Sequence, residues 1–60
     1  MEQRIVIRQS SHVCMSMIIN WEDKYIEFDV STLNEGYTYD ADKFSYAARM
    51  YEELEKKSLK

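Results

Sequence analysis

Apolar and polar residues alternate along much of the first thirty positions, and the alternation breaks at short polar stretches. In Arg4 to Arg8, Ile5 and Ile7 fall on one side and Arg4, Val6 and Arg8 on the other, the period of a half-buried strand. Gln9, Ser10, Ser11 and His12 form a polar connection short enough for a hairpin. A second strand is predicted from Val13 to Ile19, with Val13, Met15, Met17 and Ile19 toward the core and Cys14, Ser16 and Ile18 on the reverse. Asn20 to Asp23 interrupts the pattern as a turn, after which Ile26, Phe28 and Val30 alternate with Tyr25, Glu27 and Asp29 as a third strand. Ser31 to Thr38 holds Asn34, Glu35 and the single glycine, Gly36, and reads as a loop with room for a short extended piece at Tyr37 to Tyr39.

From Asp40 the period becomes helical. Phe44, Ala47, Ala48, Tyr51 and Leu54 recur at spacings of three and four and mark one buried face. Asp40 is placed to cap the helix, and Asp42 sets negative charge against the positive end of the helix dipole. Tyr39 and Phe44 have the spacing of a hydrophobic staple. Glu52 and Lys56, and Glu53 and Lys57, form i,i+4 pairs that support the helix without implying a partner. Glu55 falls on the apolar side and predicts that the packed stripe ends there and the last turn frays.

The expected architecture is α+β: a three-stranded antiparallel β-meander followed by one C-terminal α-helix packed on one sheet face. That face is made by Ile5, Ile7, Met15, Met17, Ile26, Phe28 and Val30, and residues 1–60 form a single small domain. A chain of sixty residues buries only about 60% of the surface its unfolded form exposes, so its stability should be marginal and helped by self-association or close packing. One cysteine, Cys14, allows no internal disulfide, and with one histidine, His12, it falls short of a structural zinc site. No cofactor is expected. No apolar run approaches the ~20 residues of a membrane span or the length of a signal peptide, which predicts a cytoplasmic protein. The net charge of −3 favours solubility and is neither the basic balance of a nucleic-acid binder nor the dense charge of a DNA mimic.

Candidate chemistry is sparse. Cys14 and His12 are the sole thiol and imidazole, and at i and i+2 on a strand they stand about 7 Å apart, too far for a nucleophile and its base. Glu27 and Asp29 alternate on one strand and read as a solvated or interfacial face, not as a carboxylate pair across a cleft. No glycine-rich loop is present to hold a phosphate. The chain is therefore expected to be no enzyme and to act by binding.

Two surfaces stand out. The outer sheet face, with Val6, Cys14, Ser16 and Ile18 in its middle, Arg4 and Arg8 on one rim and Glu27 and Asp29 on the other, suits a two-fold homodimer in which opposite rims meet. Trp21, Tyr37 and Tyr46 are candidate anchors for a protein partner. The alternative is a dimeric nucleic-acid-binding regulator using Arg4 and Arg8, opposed by Glu27 and Asp29 on the same face.

In format the chain resembles the very small, acidic proteins with which phages block bacterial defence systems, anti-CRISPR proteins among them. The resemblance rests on a sixty-residue chain opening Met1-Glu2-Gln3-Arg4, a strand-rich first half and the helix start Tyr39-Asp40-Ala41-Asp42-Lys43-Phe44. It is one of size and layout. It implies steric inhibition of a larger host protein or complex, often by a dimer, in the host cytoplasm, and it assigns no site.

Overall fold

A computed structural model describes residues 2–58 of the chain. Four strands, β1 (Glu2–Gln9), β2 (Cys14–Asn20), β3 (Tyr25–Ser31) and β4 (Gly36–Asp40), form one antiparallel sheet in the order β1-β2-β3-β4. A 3-10 turn over Ala41–Lys43 leads into the helix α1 (Phe44–Ser58), which packs on β3 and β4.

The meander and the C-terminal helix are as the hydrophobic pattern predicts, but the sheet has four strands where three were expected. The extra one is the piece at Tyr37 to Tyr39. Tyr37 lies opposite Val30 and Tyr39 opposite Phe28, so their half-buried rings join the face under the helix while Thr38 and Asp40 turn outward. The preceding loop is closed by Thr32, whose N–H donates to the Glu35 carbonyl and whose hydroxyl accepts from the N–H groups of Asn34 and Glu35. The other two turns are specified in the same way by side chains. The Ser10 hydroxyl accepts from the Val13 N–H, and the Asn20 side-chain carbonyl accepts from the Asp23 N–H. Lys24 closes the second turn at φ 56°, the left-handed conformation that returns the chain to antiparallel pairing.

The core is Val13, Met15, Val30, Ala47, Tyr51 and Leu54, with Phe28, Tyr37, Tyr39 and Met50 packed around it. Ile5, Ile7 and Ile26, expected in this core, are exposed. The reason is width. A helix about 10–12 Å across, laid on strands roughly 4.8 Å apart, covers about two of them. Here those two are β3 and β4, so the helix-side face of β1 and of the distal ends of β2 and β3 stays open.

The helix start is also simpler than expected. Asp40 is extended, with φ −67° and ψ 161°, and makes no capping hydrogen bond. Phe44 is held instead by Phe28, ring edge to ring face with centroids 4.8 Å apart. Helix α1 continues through the last described turn to Ser58, beyond the point at Glu55 where fraying was expected. Lys56 and Lys57 lie in that turn, where the helix dipole favours positive charge.

Candidate protein-binding surfaces

Strand β1 pairs with β2 in regular register from Glu2 to Val6, then skips Ile7 and resumes with Arg8 opposite Met15. The extra residue is a β-bulge, and it exchanges the faces of the strand beyond it. Arg4, Val6, Cys14, Ser16, Ile18, Glu27 and Asp29 therefore share the outer face as expected, through the registers Arg4–Ile18–Glu27 and Val6–Ser16–Asp29. Arg8 does not. It is turned to the helix side, where its guanidinium lies 4.4 Å from the centroid of the buried Tyr51 ring.

The outer face is largely satisfied within one chain. Arg4 reaches across β2 to donate to Asp29 at 2.8 Å, and this hydrogen-bonded ion pair raises the Arg4 pKa above its ordinary value. Ser16 and Ile18 beneath it are buried. Of the two arginines expected on this rim, Arg4 is thus paired with Asp29 of its own chain and Arg8 lies on the other face.

His12 is exposed in the first turn and Cys14 is partly buried beside Ser16, with their sulfur and oxygen 3.8 Å apart. Both line an open depression of about 520 Å³ between the first turn, the Thr32–Glu35 loop and the end of α1. No hydrogen bond joins His12 to Cys14 among the described residues, and no group of three or more His, Cys, Asp and Glu side chains there is placed to hold a metal. No helix of the described residues is long and apolar enough to cross a membrane.

The predicted anchors do not form one patch. Trp21, 59% exposed, donates its ring N–H to the side-chain carbonyl of Gln3 at 3.2 Å. Gln3 lies opposite Ile19, which lies opposite Ile26, so the tryptophan adjoins the open helix-side face of the sheet. Tyr37 packs its ring against the core and donates its hydroxyl to Glu35 at 2.7 Å, which raises its pKa above the ordinary 10.0. Tyr46, 57% exposed, stands on α1 above a separate groove along β4.

Pattern reading missed the principal surface because it assigned the residues of that surface to the core. Ile5, Met17, Ile19 and Ile26 follow one another across the helix-side face beyond the start of α1, with Phe44 and Trp21 at its borders. Ile5 and Ile26 are exposed, and Met17 and Ile19 are half-buried. The signal that could have found it is helix width set against strand number. The chain matches no protein-family model, and its sequence and fold find no match among curated proteins or solved structures.

Proposed function

We propose that the chain is a non-catalytic interaction protein that acts by covering a surface of a larger protein. The observation that carries this reading is the uncovered half of the helix-side sheet face, where exposed Ile5 and Ile26 flank half-buried Met17 and Ile19 and exposed Trp21 stands at the border. Contiguous exposed apolar residues of this kind mark interaction sites far more than scattered ones do. Glu22 and Asp23 lie in the turn beside Trp21, so the fitting partner is a protein with an apolar hollow that sets basic residues against this turn. The resemblance in format to phage anti-defence proteins agrees with inhibition by steric cover, in the cytoplasm of a host cell. The nucleic-acid alternative is weakened because Arg4 and Arg8 are already engaged, with Asp29 and Tyr51.

The test is affinity capture from cell extract with the parent chain, Ile26→Glu and Cys14→Ser, each first checked to be folded by circular dichroism. The parent and Cys14→Ser should retain the same protein and Ile26→Glu should lose it. Equal retention by Ile26→Glu, or no retained protein at all, contradicts the proposal.

A further inference from the structure

The sheet has two free edges, and they are treated differently. β1 carries the devices that protect an edge strand: the bulge at Ile7 and the charges of Glu2, Arg4 and Arg8. β4, with the sequence Gly36-Tyr37-Thr38-Tyr39-Asp40, pairs with β3 without a register shift and carries no bulge, proline or lysine. Its outer backbone borders a groove of about 500 Å³ whose other wall is α1, lined by Lys43, Tyr46, Arg49, Met50 and Glu53. Among the described residues Lys43, Arg49 and Glu53 have no ion-pair partner, so the expected pair of Glu53 with Lys57 is not made.

We infer that the β4 edge and this groove receive a second copy of the chain, related by a two-fold axis through Thr38 normal to the sheet. Antiparallel pairing about Thr38 sets Tyr37 against Tyr39 of the partner subunit, twice, and Thr38 against Thr38 of the partner subunit. Aromatic–aromatic and Thr–Thr pairs are among the favourable cross-strand neighbours. Four strands from each copy become one sheet of eight with both helices on the same face.

The helix spacing fits. Because α1 packs on β3 and β4 alike, its axis lies over the gap between them. With strands roughly 4.8 Å apart, the two-fold axis runs about 5 Å from the helix axis and sets the two helices about 10 Å apart, within the range of packed helices.

The facing residues also fit. Phe44 meets Phe28 at the level of Tyr39, and Ala47 and Tyr51 belong to the buried cluster that holds Val30, opposite Tyr37, so Thr38 lies level with the part of α1 between Phe44 and Tyr51, which carries Tyr46, Arg49 and Met50. With Arg49 beside Met50, the α1 wall reads cation, aromatic, cation, apolar, anion. Reversed by the two-fold, it lays Lys43 toward Glu53 of the partner subunit and Tyr46 toward Arg49 and Met50 of the partner subunit. A surface complementary to its own reverse is what an isologous interface requires.

This inference uses a different face from the proposed partner site. Its test is solution mass across a dilution series for the parent, Lys43→Glu, Glu53→Lys, the double variant Lys43→Glu/Glu53→Lys, and Ile5→Arg on the β1 edge. The parent should reach twice its 7.2 kDa. Each single reversal sets like charges together at two symmetric places and should raise the dissociation constant about tenfold. The double variant should restore parent-like association, and Ile5→Arg should leave it unchanged. A parent that stays monomeric at millimolar concentration overturns the inference, as does a dimer that ignores the single reversals or is lost in Ile5→Arg.

Discussion

The Arg8 guanidinium lies 4.4 Å from the ring centroid of Tyr51, joining the most exposed edge strand to the most deeply buried aromatic of the helix. One extra residue makes this contact available. Without the bulge at Ile7, strict alternation would have sent Arg8 to the outer face beside Arg4. With it, a cation covers the end of the core and β1 gains an attachment to a helix that lies mainly over β3 and β4.

Arg8→Ala should lower stability by about 0.5–1 kcal/mol, the range of an exposed cation–π pair. A urea titration followed by circular dichroism reads this as a lower midpoint with an unchanged slope. An unchanged midpoint would mean that the stacked geometry contributes nothing to folding.

Leu54→Ala opens a cavity where α1 meets the end of the sheet, because Leu54 is only 3% exposed and belongs to the core cluster. The expected loss is about 2–5 kcal/mol. At about 0.05–0.15 kcal/mol per residue, a domain this small has little more than that to lose. The variant should therefore be substantially unfolded at room temperature by circular dichroism, while Leu33→Ala, at a fully exposed loop position, should match the parent.

The parts of the fold legible in the sequence are those whose period repeats several times. Ile26, Phe28 and Val30 announced β3, and Ala47, Tyr51 and Leu54 announced the buried stripe of α1. β4 was not legible as a strand, because two half-buried tyrosines give too short an alternation to separate from a loop. The bulge left no glycine or proline to mark it. Ile5 and Ile26 carry the pattern of core residues and are exposed for a reason no local window contains: one helix cannot cover four strands. The candidate partner surface was hidden for the same reason, although Trp21, at its border, was singled out from residue type alone.

Tyr37 gives the fold an alkaline limit. Its hydroxyl donates to Glu35, and the carboxylate's hydrogen bond and charge hold the phenol protonated above its ordinary 10.0. A group with a raised folded-state pKa contributes stability that is fully present below the unfolded pKa and lost as pH rises through the folded value. Stability should therefore fall above pH 10 in the parent, and less so in Glu35→Gln. Phenolate absorbance should show one of the five tyrosines ionising later in the parent than in Glu35→Gln. Superimposable titrations would show that the contact is not held in solution.

The open sheet face makes a prediction about stability opposite to that for the core. Ile26→Thr keeps a β-branched side chain at a position already 39% exposed, so its urea midpoint should change by less than about 0.5 kcal/mol equivalent. A loss of several kcal/mol would place Ile26 in the folding core after all.

Trp21 is the only tryptophan in the chain and borders the surface proposed to meet a partner, so its fluorescence reports on that surface alone. The most direct measurement is the Trp21 emission spectrum of the parent chain as the captured protein is added, using a tryptophan-free version of that protein or selective labelling of this chain. Emission should begin near that of a solvent-exposed indole and move to shorter wavelength in step with complex formation, and dilution across the self-association range should leave it unchanged. A complex that forms with no shift in Trp21 emission would contradict the assignment of this face to partner binding.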